Sequence, residues 1–275
     1  VTLLPEIHAS YAEKTYALLA DKGYMVVGHD HLGHGKTAKT PEDWGYFADG
    51  ESPEILIGDM NKLRTLSQEP DKPYFMLGHS MGSYLLRRYL SVYGGGLSGA
   101  VIMGTGANPD AVAKLGMAVC KAIAAFKGWK YRSSFMEKLF FSGDFQKFDM
   151  DGTHPENSWL TKDTEIVRFY YSEPRCTFKF TLKAYYDFLK TVYYVNRKEN
   201  VEKIPKDLPI LMVAGDCDPV GEFGKAVKRV YEMYRAAGIN DVTLKLYEND
   251  RHEILNETDK ERVFDDIFNW CESRQ

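Results

Sequence analysis

The pentapeptide Gly78-His79-Ser80-Met81-Gly82 follows the apolar run Pro73-Tyr74-Phe75-Met76-Leu77 and precedes a helix-like stretch, Ser83 to Tyr93. A serine on a sharp strand-to-helix turn requires small residues two before and two after it, because the strained backbone passes close to neighbouring chain. Gly78 and Gly82 meet that requirement, which makes Ser80 a candidate nucleophile. A helix that begins there aims its unpaired amides and the positive end of its dipole at the point where an oxyanion would form. The Met81 N–H is therefore a candidate oxyanion donor.

A serine hydroxyl is a poor nucleophile at neutral pH. It needs a histidine to take its proton and a carboxylate to hold that histidine in the right tautomer. The chain carries Asp216-Cys217-Asp218 just after the apolar run Ile210 to Ala214, and His252 just after the β-like run Val242 to Tyr247. Ligands of open α/β sheets bind beyond the carboxyl ends of the strands, so Ser80, His252 and one of these aspartates are expected to converge on one crevice. Asp216 and Asp218 are rivals for the acid, and the charged neighbours Asp250, Arg251 and Glu253 would equally suit a solvated turn around His252.

A second constellation competes. His29-Asp30-His31-Leu32-Gly33-His34 has the H-x-H-x-x-H spacing of a metal site. Two-metal hydrolases with such a run need an aspartate where Gly33 stands, and further histidine and aspartate ligands from later loops. Elsewhere the chain offers only His8, His79, His154 and His252, at no ligand-like spacing. The expectation is therefore a loop above the sheet with no metal and no other cofactor.

These residues need a scaffold to position them. The sequence predicts a helix from the capping box Ser10-x-x-Glu13 to Gly23, a strand Tyr24 to Val27, a helix Ser52 to Leu66, a strand Tyr74 to Leu77, a helix Ser83 to Tyr93 and a strand Ala100 to Met103. After an interruption come a strand Ile210 to Ala214, a helix Phe223 to Ala237, a strand Val242 to Tyr247 and a helix Lys260 to Cys271. Apolar strands alternating with helices belong to a mostly parallel, doubly wound α/β sheet covered on both faces. The stretch 108–200 has helical patterning and many aromatics but no short apolar strand, so it reads as a helical cap inserted between the core segments 1–107 and 201–275. Some of its apolar side chains should line an acyl-chain pocket.

Composition narrows the partners. A net charge of −4 with both signs interspersed gives no sign of a nucleic-acid footprint or a polybasic membrane anchor and points to a small-molecule partner. Lysines Lys114 and Lys121 interrupt the most apolar stretch, Ala111 to Phe126, so no integral membrane segment is expected. The scattered cysteines Cys120, Cys176, Cys217 and Cys271 point to reduced thiols and a cytoplasmic location. Oligomeric state is not written in any of these features.

Taken together the motifs resemble the α/β-hydrolases of the monoacylglycerol lipase and lysophospholipase type, grouped with serine aminopeptidase-like hydrolases. Ser, then Asp, then His is the order of residues in that fold. Asp30-His31-Leu32-Gly33-His34-Gly35-Lys36-Thr37 is similar to the family's D-H-x-G-H-G-x-[ST] loop, which binds no metal. Gly78 to Ser83 is similar to its G-H-S-M-G-[GS] elbow, implying Ser80 as nucleophile. Gly215 to Val220 resembles the acid loop, in which the aspartate before proline carries the role, implying Asp218. Arg251 to Glu257 resembles the R-H-E-x-x-N-E segment, implying His252 as base, and Ser158 to Asp163 leading into Pro174 resembles a stretch of the family's cap. The implied activity is cleavage of a carboxylic ester with an apolar acyl chain, monoacylglycerol or lysophospholipid-like, through an acyl-enzyme. The rivals are a peptidase or amidase with the same triad and a ligand-binding relative with impaired catalysis.

One feature departs from the family. Its third strand ends in an H-G-x-x-E-H loop that supplies a second oxyanion donor, whereas here only Thr2 to His8 are available, without the His-Gly pair and with Pro5 lacking an N–H. The resemblance thus predicts that N-terminal strands are missing from this chain, with residues preceding Val1 and a gap between the strands Tyr24 to Val27 and Tyr74 to Leu77.

Overall fold

Strand β3 (Phe75–His79) shows how the sheet is built, because its alternate residues feed two different apolar layers. Met76 faces a cluster with Met60, Leu86, Leu90, Ile102, Met212 and Tyr234. Phe75 and Leu77 face the other side, with Val101, Val213, Ile267 and Trp270. The flanking β4 (Gly99–Met103) and β5 (Ile210–Gly215) are buried at every position, as a strand with helices on both faces must be. The edge strand β6 (Val242–Tyr247) exposes Thr243 and Lys245 and reads as alternating.

A computed structural model describes residues 2–4, 17 and 19–275. With β1 (Thr2–Leu4) and β2 (Val27–Gly28), the described strands form one parallel sheet in the order β2-β1-β3-β4-β5-β6. The gap expected between β2 and β3 is not there. Thr2 pairs with both Val27 and Met76, Leu3 with Gly28 and Leu77, and Leu4 with Gly78. On one side β2 is itself only two residues long and needs few partners, and on the other the three residues pair with Met76, Leu77 and Gly78, the middle of β3. Thr2 to Leu4 are thus strand, not the start of an oxyanion loop.

Several boundaries shift. The strand expected at Tyr24 to Val27 contracts to Val27–Gly28, while Tyr24 packs edge-on against Phe268. The nucleophile strand runs two residues beyond Leu77, and its helix starts at Met81 rather than Ser83, so the turn is confined to Ser80. The capping box at Ser10 lies outside the described residues. The helix it was expected to open is helical at residues 19–21 and ends on Gly23, whose φ of 91° supplies the left-handed cap.

Helices Ser52–Ser67, Met81–Tyr93 and Lys225–Ala236 lie on one face of the sheet and Glu261–Glu272 on the other. Between β4 and β5 run helices Asp110–Lys127, Ser134–Phe140, Thr164–Ser172, Pro174–Thr177, Leu182–Val195 and Lys198–Val201. They have an apolar cluster of their own, in which Ala113, Cys120, Met136, Leu182, Tyr185 and Leu189 meet. All four cysteines are free thiols. No helix among the described residues is long and apolar enough to cross a membrane.

Candidate active site

Ser80 sits at the one-residue turn between β3 and helix Met81–Tyr93, with φ 51° and ψ −122°. A non-glycine residue there stores about 1–3 kcal/mol of backbone strain, held by its surroundings. The holding contacts are specific: the Ser80 N–H donates to the Met103 carbonyl at 3.1 Å, and the Ser80 carbonyl accepts the Ser83 N–H at 2.8 Å and the Ser83 hydroxyl at 2.6 Å. A Cβ on Gly78 would lie 2.4 Å from the Gly82 carbonyl oxygen, so no side chain fits at that position. The Met81 N–H is the first amide of a 13-residue helix and has no partner within that helix.

Asp218 and His252 meet. Both are buried, and His252 Nδ1 lies 2.9 Å from Asp218 Oδ2. A carboxylate only accepts, so Nδ1 carries the proton, and Nε2 of the neutral ring presents its lone pair. The second carboxylate oxygen, Oδ1, accepts the Val220 N–H at 2.8 Å. Asp216, the rival acid, instead accepts the Asn249 N–H at 2.8 Å and braces the turn leading to His252. That turn is tied to the acid loop by Cys217 N–H to the Asp250 carbonyl at 2.9 Å. The solvated-turn reading of His252 is excluded by its burial.

The elbow and the histidine loop are bonded to each other through His79. Its Nε2–H donates to the His252 carbonyl at 3.0 Å, and the two rings lie 4.6 Å apart. Burial pushes the His79 pKa down to about 3, so this ring is a neutral donor at physiological pH. On another side Gly104, with φ 58°, leaves room for the imidazole: a Cβ there would lie 3.0 Å from His252 Cε1. A third neighbour is Trp159, whose ring centroid is 5.1 Å from that of His252. Ser80 opens onto a cavity of about 350 Å³ walled by Leu189 and Val192, by Met136 and Phe140, and by Trp159 and Val220. Most of these walls are apolar and come from the stretch between β4 and β5.

Comparison with known proteins places the chain. The profile described as "Serine aminopeptidase, S33" matches residues 6–259. The chain belongs to this family. It is 26% identical to the monoacylglycerol lipase of Mycolicibacterium smegmatis, over 91% of this chain and 79% of that protein. It is 25% identical to the monoglyceride lipase of Mus musculus, over 97% of this chain and 79% of the relative. Among solved structures, a thermostable carboxyl esterase from Bacillus coagulans superposes with a TM-score of 0.88 at 29% identity, covering 99% of this chain and 89% of that one. The chain is an α/β-hydrolase.

Local packing and hydrogen bonds account for the histidine-rich loop. His34 stacks on Phe47, with ring centroids 5.8 Å apart, and its Nδ1–H donates to the Leu32 carbonyl at 3.1 Å. His29 and His31 contact each other edge to face, and burial lowers the pKa of both. The Asp30 carboxylate accepts the Lys36 N–H at 2.8 Å across Gly35, where a Cβ would collide with that carboxylate at 2.3 Å. Among the described residues no three histidine, cysteine or acidic side chains converge as a metal site.

The remaining expected element is the second oxyanion donor. Leu4, the last residue of β1, pairs with Gly78 of the elbow, and residues 5–8 lie outside the described residues. Sequence reasoning missed His79, Gly104 and Trp159. His79 stood inside the elbow motif and Trp159 inside the cap motif, but nothing in their spacing signalled contact with His252.

Proposed function

We propose that this α/β-hydrolase is a serine esterase that cleaves carboxylic esters with an apolar acyl chain, of the monoacylglycerol or lysophospholipid type, through an acyl-enzyme on Ser80. The carrying observation is the buried Asp218–His252 bond of 2.9 Å, tied through His79 to the elbow that bears Ser80. His252 Nε2 takes the Ser80 proton as Oγ attacks the ester carbonyl, and Asp218 stabilises the imidazolium that results. The Met81 N–H binds the tetrahedral oxyanion, a contribution of about 3 kcal/mol where such a donor has been removed. The imidazolium then protonates the leaving alkoxide, and a water activated by the same Nε2 hydrolyses the acyl-serine. No cofactor enters this sequence.

The stretch 108–200 serves as a cap over the core segments 1–107 and 201–275, and its apolar cavity takes the acyl chain. Each methylene buried there contributes about 0.8 kcal/mol. Small-molecule esters, a cytoplasmic location and no nucleic-acid partner complete the reading. The test is Ser80→Ala together with fluorophosphonate labelling. Wild type hydrolyses nitrophenyl butyrate and takes up one label at Ser80, while the variant does neither. Turnover of aminoacyl amides in preference to esters would make it a peptidase, and absence of both label and turnover would make it a binding protein.

A further inference from the structure

Glu257 is fully buried, and its carboxylate is spent on backbone rather than on a substrate. Oε1 accepts the N–H of Arg251, the residue before His252, at 2.8 Å. Oε2 accepts the Lys162 N–H at 2.9 Å and the Thr161 hydroxyl at 3.0 Å. One carboxylate therefore joins the histidine loop to the segment that carries Trp159.

The same two segments are stitched along their length. The His252 N–H donates to the Trp159 carbonyl at 3.3 Å and the Glu253 N–H to the Leu160 carbonyl at 2.8 Å. The Arg251 guanidinium donates to the Thr161 carbonyl at 3.2 Å and the Glu156 carbonyl at 3.0 Å. Lys162 reaches the buried Asp250 at 2.7 Å, and Arg262 reaches it at 3.0 Å. Charges on both segments are thus matched, with Lys162 Nζ also 3.9 Å from Glu257.

We propose that Glu257 is a positioning residue, which pins the His252 loop against the Trp159 segment and so sets the imidazole relative to Ser80. It touches no reacting atom. This proposal rests on the serine-esterase reading. The physical ground is that a displacement of about 1 Å at a catalytic group costs up to about a hundredfold in rate. Neither segment is strand or α-helix at His252 or Trp159, so such a tolerance depends on the bonds between them, of which the Glu257 carboxylate makes three.

Glu257→Gln separates positioning from mere folding. The amide has a single oxygen, so its NH2 group must face either the Arg251 N–H or the Lys162 N–H, and one side of the pin opens. Fluorophosphonate labelling of the full chain gives two readouts: the end-point counts assembled sites, and the rate reports how well His252 activates Ser80. The expected result is an end-point near that of wild type with a labelling rate and kcat reduced tenfold or more, KM within twofold, and partial recovery in Glu257→Asp. Thr161→Val, a milder change at the same pin, should slow labelling about threefold and decides the matter if Glu257→Gln does not fold. A lowered end-point with unchanged rate per site overturns the positioning role and leaves the esterase reading intact. A wild-type chain that does not label at Ser80 overturns both.

Discussion

Replacing Asp218 by asparagine isolates the bond on which the chemistry rests. In the native chain Oδ2 takes the His252 Nδ1–H at 2.9 Å and Oδ1 the Val220 N–H at 2.8 Å. Asparagine has one oxygen for these two donors. If that oxygen turns to His252, the amide NH2 faces the Val220 N–H, and a buried donor left unpaired costs about 1–3 kcal/mol. If it stays on Val220, the NH2 faces Nδ1, the ring proton moves to Nε2, and the base can no longer accept from Ser80. The second arrangement wins by that 1–3 kcal/mol, and the lost charge-assisted bond to the imidazolium adds about 1.5–3 kcal/mol. Together these lower kcat by a factor of about 10² to 10⁴. The assay is initial-rate hydrolysis of nitrophenyl butyrate, normalised to folded protein by near-ultraviolet dichroism. Asp216→Asn is the matched control: its amide oxygen still accepts from Asn249, and activity should stay within about threefold. Asp218→Asn retaining more than a tenth of the wild-type kcat, or Asp216→Asn falling as far, would refute the reasoning.

Other outcomes follow from the same geometry. Ser80→Gly removes the strain at φ 51° and should raise stability by about 1 kcal/mol, or Tm by about 2 °C, while abolishing turnover; an unchanged Tm would remove the strain argument. Gly78→Ala places a Cβ 2.4 Å from the Gly82 oxygen and should cost about 3 kcal/mol in urea unfolding, against less than 1 kcal/mol if the elbow can relax. His79 and His34 are buried with pKa values lowered to about 3 and about 4, so the unfolded chain binds more protons below its own pKa of 6.5, and stability is lost as pH falls through that value. Each should contribute a loss of about 2 kcal/mol between pH 7 and pH 5, measured as the change in urea midpoint, and equal stabilities at the two pH values would contradict their burial as neutral rings. Leu139→Trp, half-exposed at the cavity, should reduce turnover of a dodecanoyl ester about tenfold relative to a butanoyl ester, and an unaltered ratio would move the acyl chain elsewhere.

The sequence by itself determined what local rules govern. The Gly78/Gly82 spacing around Ser80 was legible because a backbone turn excludes side chains at fixed offsets, whatever surrounds it. The buried strands β3, β4 and β5 were legible because both faces must be apolar, and Gly23 marked a helix end because a left-handed residue is required there. Tertiary structure alone decided the rest. Asp216 and Asp218 are two residues apart and chemically identical, and only the packing of β5 against β6 turned one toward the imidazole and the other toward Asn249. Thr2 to Leu4 became the strand between β2 and β3 because both leave backbone groups that need partners, a demand invisible in a three-residue pattern. His79, Gly104 and Trp159 surround His252 from three separate parts of the chain, and no spacing rule links side chains brought together only by folding.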